Sequence, residues 1–187
     1  MAPIKILFLR HFKPKMEKDR HASEWGLDYS ARQSLEELLS SGKLSRVGRI
    51  ISSPEKKALL TAKEISERLD LPLDETPLAS EIDRRKSGFI DGGYFDVVSR
   101  YLSEDGSEAS KIWESIPSVR NRARKLIALL SGKEENALLV VTHGMFLSII
   151  LSKAKGTDAS EEWKNIGTGA LIEMEFSELE RSWMSDS

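Results

Sequence analysis

The sequence contains no cysteine, which excludes disulfides, thiolate metal sites and a cysteine nucleophile, and suits a cytoplasmic chain. Charge of one sign is also lacking, since 28 Lys and Arg stand against 30 Asp and Glu, a net −2 at pH 7. That balance offers no long-range attraction to nucleic acid or to an anionic membrane, so neither is expected as a partner and any anion site must be local. Long apolar runs are missing too. The longest, residues 137–141 and 145–151, fall far short of the roughly 20 residues that span a bilayer, and Ser148 interrupts the second. The opening Met1, Ala2, Pro3 and Ile4 lack the charged and apolar segments of a secretion signal, so the chain is expected to be mature as it stands. Internal repeats, low-complexity tracts and an interdomain linker are likewise absent.

What is present reads as globular. The 187 residues, 40% apolar and 31% charged, suit one self-folding domain over residues 1–187 with its own buried core. Residues 4–9 (IKILFL), 47–51 (VGRII) and 137–142 (ALLVVT) are short, nearly continuous apolar runs rich in branched side chains, the pattern of strands covered on both faces. Residues 170–176 supply a last, loosely alternating strand. Helices are expected at 30–40, with Ser30 as N-cap and Gly42 as stop, and at 55–69, with Ser53 as N-cap and Pro54 in the first turn. Further helices are expected at 95–102, at 109–130 with Pro117 as first turn or kink, and from Met145 onward, closed by Gly156. Residues 13–28 read as a long loop and residues 71–93 as a connection with little regular structure. Arg120, Arg122, Arg124 and Lys125 are read as the solvated face of an amphipathic helix. Strands alternating with helices predict an α/β fold of three layers, a mostly parallel central sheet with helices on both faces.

Sheets of this class bind ligands beyond the carboxyl ends of their strands. Three strands end in polar corners: Arg10-His11, Ser52-Ser53-Pro54 with Lys56 and Lys57 just beyond, and His143-Gly144. Two of the three histidines thus occupy equivalent strand-end places beside cations, an arrangement suited to a phosphoryl group, whose transition-state oxygens are stabilised by cations and helix N-termini. Imidazole, with an ordinary pKa near 6.5, is largely neutral at pH 7 and can attack phosphorus without an adjacent base. No compact carboxylate or His cluster of the HExxH or DxDxDG kind is present, so no metal or other cofactor is expected.

The segments Leu9-Arg10-His11, Ser52-Ser53-Pro54 through Ala58 with Thr61-Ala62, then Glu81, then Thr142-His143-Gly144, spread over residues 5–176, resemble the histidine phosphatase superfamily, the phosphoglycerate mutase-like clan. The resemblance implies a metal-independent phosphatase acting on small-molecule phosphate monoesters. His11 would be the nucleophile that becomes a phosphohistidine, Arg10, Lys57 and His143 the phosphate-binding residues, and Glu81 the acid that protonates the leaving oxygen, with Asp83 as the alternative acid. Two positions depart from the family pattern. Phe12 stands where the family has Gly, and would be strained if the backbone there needed positive φ. Lys57 stands where the family has Arg, keeping the charge but losing the bidentate fork, with Lys13, Lys15, Arg20, Arg84, Arg85 or Lys86 as sources of compensation. Two other readings remain open at this stage. A cofactor-dependent phosphoglycerate mutase is one, although the YGxLxGLNK segment of those mutases has no equivalent here; a phospholigand-binding module weakened in turnover is the other. Substrate choice is expected to rest with residues 13–28 and 81–102.

Overall fold

The apolar run after Pro3 forms β1 (Lys5–Arg10) in the computed structural model, which describes residues 5–103 and 111–185. With β2 (Val47–Ser52), β3 (Leu73–Glu75), β4 (Ala137–Thr142) and β5 (Leu171–Glu175) it makes a five-stranded sheet in the order β3-β2-β4-β1-β5. All pairings are parallel except β1 with β5. The side-chain period of two sends Ile6, Phe8, Ile51, Leu138 and Val140 to one face, and Leu7, Leu9, Ile50, Leu139 and Val141 to the other.

Helices α1 (Ala31–Ser40) and α2 (Lys56–Leu69) cover the second face through Ala31, Leu35, Leu38, Ala58, Ala62 and Ile65. Helices α3 (Tyr94–Ser103), α4 (Ile116–Ser131), α5 (Gly144–Lys155), α6 (Ala159–Asn165) and α7 (Phe176–Met184) pack on the first. This is the three-layer, mostly parallel α/β architecture the sequence predicts.

Register then positions the chemistry. Arg10 pairs with Thr142, and Ser52 with Val141, so the three strands end level. The bonds His11 N–H to Thr142 O and Ser53 N–H to Val141 O, both 3.0 Å, carry the alignment one residue past the sheet.

Several boundaries differ from expectation. Ser30 does not cap α1 with its side chain, because its hydroxyl donates to Asp28 Oδ1 at 2.7 Å. Helix α2 starts at Lys56 behind an extended Glu55, and Ser53 Oγ accepts the Glu55 N–H at 3.2 Å instead of capping the helix. The expected helix 109–130 is interrupted: residues 111–112 are helical, 113–115 are not, and α4 starts at Ile116 with Pro117 in its first turn and Ser115 accepting the Ser118 N–H; positions 109 and 110 lie outside the described residues. Within 71–93, β3 is a strand of three residues whose regularity comes from pairing with β2, not from any pattern of its own. Helices α6 and α7 have no counterpart in the sequence reading. Met145 onward behaves as expected, with Gly156 closing α5 at φ 70°. Among the described residues no helix is long and apolar enough to cross a membrane.

Candidate active site

His11 follows β1 and is 4% exposed. Its Nδ1 lies 2.7 Å from the Phe12 carbonyl oxygen. A carbonyl only accepts, so Nδ1 carries the proton of the neutral ring and Nε2 keeps its lone pair. Burial pushes the imidazole well below its ordinary range, and His143, Lys57 and Arg10 add to that. The ring stays neutral and basic at Nε2.

Phe12 turns its backbone N–H to Thr61 Oγ1 at 3.1 Å and buries its ring against Gly169. The feared strain is absent, since Asp70 is the one described residue other than glycine with positive φ. Regular backbone places the ring in the core beneath α1 and α2.

Arg10 is half-buried, with Nη1 donating to the Ile166 carbonyl and a buried Nε that has no partner among the described residues. Burial lowers its pKa and Glu81 opposes the shift. The guanidinium lies directly on Gly144, where an added Cβ would sit 2.8 Å from Arg10 Cζ. A side chain at this position would push the guanidinium aside, so Gly144 leaves the room this cation occupies. His143 is fully buried, and its ring centre is 5.1 Å from that of His11. Its Nε2 meets Ser53 Oγ at 2.8 Å and its Nδ1 has no partner among the described residues. Burial holds this imidazole neutral as well, helped by Lys57, Arg10 and Arg122.

Lys57 joins the cluster in a way the sequence does not show. It is 5% exposed, and its ammonium bonds Glu55 Oε2 at 2.7 Å and the Ala22 carbonyl, on the loop after β1, at 2.8 Å. Glu81 is drawn in from the opposite side. Its carboxylate accepts the N–H groups of Ile82 at 3.0 Å, Phe146 at 2.9 Å and Met145 at 3.2 Å, so it occupies the N-terminus of α5 beside His143. Asp83 does not reach the cluster: Arg85 takes both its oxygens, and that hydrogen bonding draws its pKa down to about 2. Of the other cations considered, Lys13, Lys15, Arg20 and Lys86 are exposed, Arg85 is bound to Asp83, and Arg84 stacks over Tyr94 and Trp113.

Arg122 corrects the reading of its helix. It is half-buried, not solvated, pairing with Glu114 at 2.7 Å, donating to the carbonyls of Leu78, Ser80 and Glu81, and lying over the Phe146 ring. It thus ties the Glu81 segment to α4 and α5. The available signal was its position among Val119, Ala123 and Leu126, all of which are core. Glu55 was also missed, although it sits inside the quoted segment two residues before Lys57.

The two neutral imidazoles make stability depend on pH. In the unfolded chain both titrate near 6.5, whereas the folded chain resists protonation, so unfolding takes up protons once the pH falls below that value. Stability is essentially complete above about pH 7.5 and is lost as the pH drops, by about 1.4 kcal/mol per histidine between about pH 7.5 and about pH 5.5. Urea midpoints across that interval check the prediction, and His11→Asn should remove its share of the slope.

Comparison with known proteins agrees with this geometry. No curated protein sequence matches the chain. Among solved structures it resembles YhfR of Bacillus stearothermophilus (TM-score 0.75, 17% identity, 92% of this chain and 91% of that one). It also resembles a mycobacterial glucosyl-3-phosphoglycerate phosphatase (0.72, 17%, 95% and 94%). A third neighbour is a mutant phosphoserine phosphatase from Entamoeba histolytica in complex with phosphoserine (0.69, 19%, 91% and 89%). These likenesses are of fold. The sequence model of the histidine phosphatase superfamily, branch 1, matches residues 6–184, nearly all of the chain, and the protein therefore belongs to that superfamily.

Proposed function

We propose that the protein is a phosphatase that hydrolyses small phosphate monoesters through a phosphohistidine at His11, without a metal ion. The observation that carries this reading is the state of His11. Its Nδ1–H is fixed on the Phe12 carbonyl, its Nε2 has no hydrogen bond among the described residues, and burial keeps it neutral beside two cations.

In the first step the Nε2 lone pair attacks phosphorus, the P–O ester bond breaks, and the leaving oxygen takes a proton from Glu81. Arg10 Nε, buried and without a partner among the described residues, is a donor whose unmet bond costs about 1–3 kcal/mol until an acceptor arrives, and a phosphoryl oxygen would supply it. His143 fits the same part. With Nε2 accepting the Ser53 hydroxyl, Nδ1 carries the proton and is the donor left over. In the second step water attacks phosphorus, Glu81 takes its proton, and the P–N bond breaks to return the pair to Nε2. Glu81 accepts three N–H bonds here, which suits it to this second role. Its Oε2, held only by the 3.2 Å bond from Met145, is the oxygen freer to carry the proton of the first step.

Because Gly144 supports Arg10, Gly144→Ala should displace the guanidinium while leaving α5 helical. A misplacement of about 1 Å in a positioning group lowers kcat/KM by about 10²-fold, and that loss is expected here with little change in melting temperature. Steady-state kinetics beside a thermal melt would check it.

The reading is tested by p-nitrophenyl phosphate hydrolysis in the presence of EDTA, run beside a coupled assay for conversion of 3-phosphoglycerate with bisphosphoglycerate present. Hydrolysis that survives EDTA is expected. Mutase turnover exceeding hydrolysis would make the protein a phosphoglycerate mutase, and loss of hydrolysis with EDTA would contradict the metal-independent reaction.

A further inference from the structure

Glu55 stands as N-cap of α2 yet makes no side-chain cap bond to its own helix, although an acidic N-cap ordinarily accepts from the N–H groups of the first turn. It turns into the pocket instead. Oε2 accepts from the Lys57 ammonium at 2.7 Å, while Oε1 accepts the Glu81 backbone N–H at 2.8 Å and lies 3.7 Å from His143 Nε2. The side chains of Lys57 and Glu55 are only 6% and 14% exposed, so water screens the pair little. One carboxylate thus meets the ammonium from the polar corner after β2, comes close to the imidazole from the corner after β4, and holds the backbone of the candidate acid.

Building on the phosphatase reading, we propose that Glu55 is an internal competitor of the phosphoryl group, a carboxylate that stands on Lys57 where a phosphoryl oxygen would stand. Lys57 has three N–H donors, and two are committed, to Glu55 and to the Ala22 carbonyl. A phosphoryl dianion entering the pocket must draw the ammonium from Glu55 or lie beside a second anion. That penalty falls on every phosphoryl group alike. An ester offsets it through contacts made by the rest of the molecule, whereas inorganic phosphate has nothing else to bind with. Because the penalty is common to both, it weakens ester and product binding without changing their ratio, and inorganic phosphate, with no other contacts to hold it, leaves readily after the second step.

A merely structural ion pair makes the opposite prediction, since removing Glu55 would strand a buried ammonium and weaken both fold and binding. Glu55→Gln separates the two, because its amide oxygen can still accept the Glu81 N–H while its NH2 cannot accept from Lys57. Titration calorimetry with inorganic phosphate, on wild type, E55Q and the double variant E55Q/K57A, reads the outcome. E55Q should bind phosphate about tenfold or more tightly, the scale of one favourable charge contact. The double variant should lose that gain, and in steady state KM for p-nitrophenyl phosphate and the phosphate inhibition constant should fall together. Should E55Q fail to fold, Glu55→Ala carries the same expectation. A folded variant that binds phosphate no better than wild type overturns the proposal while ester turnover by wild type leaves the phosphatase reading standing. Absence of both phosphate binding and ester turnover in wild type would instead sink that reading, and this proposal with it.

Discussion

His11→Ala is expected to lower p-nitrophenyl phosphate hydrolysis by about 10⁴-fold or more, the scale on which losing a covalent nucleophile registers. The reason is that nothing near His11 can replace it. The chain has no cysteine, and the neighbouring imidazole of His143 is fully buried with Nε2 engaged by Ser53. The side chain removed makes one hydrogen bond among the described residues, to the carbonyl of the next residue, so the fold should persist and a circular dichroism melt should show it. Inorganic phosphate should still bind, since Arg10, Lys57 and His143 remain. Exogenous imidazole added to the variant should restore part of the turnover by entering the space left behind. Retention of activity within tenfold of wild type would mean that His11 binds phosphate without attacking it.

The second large effect concerns Glu81→Gln. Loss of a positioned acid or base costs about 10²–10⁴-fold, but the loss should depend on the leaving group. An alkyl ester needs its departing oxygen protonated and should fall by the full amount, whereas p-nitrophenolate departs without that help and should fall less in the first step. The substitution also puts an NH2 against one of the three N–H donors that Glu81 now accepts, so a small uniform loss is expected on top. A series of monoesters of graded leaving-group basicity separates the two contributions. Equal losses across the series would assign Glu81 to holding the N-terminus of α5 and not to proton transfer.

Strands whose two faces are both covered carry their apolar character continuously, and that is why β1, β2 and β4 are legible in residues 4–9, 47–51 and 137–142. Their polar corners are legible for the same reason, because a buried strand that stops at Arg10-His11 or His143-Gly144 announces its end. The parallel register then makes corners distant in sequence neighbours in space. What is not legible is whatever depends on tertiary partners. Strand β3 has three residues and no period, and exists because β2 offers it an edge. Arg122 has the composition of a solvated face, yet its helix turns it onto the carbonyls of the Glu81 segment. Glu55 and Lys57, two apart near the start of one helix, look like ordinary surface charges and are instead a buried pair. Phe12 shows the converse. A departure that suggests strain from the family pattern is absorbed because this backbone keeps negative φ and the ring finds a core to fill.

The central claim is that a covalent bond forms between phosphorus and His11 Nε2. The direct measurement is to mix enzyme with ester in the presence of EDTA, quench into alkaline denaturant, in which phosphohistidine survives, and locate the phosphate by peptide mass spectrometry with ³¹P NMR. Phosphate on the Nε2 of His11 in wild type, and none in His11→Ala, is the predicted result; steady turnover with no phosphoenzyme, or phosphate on any other residue, would contradict it.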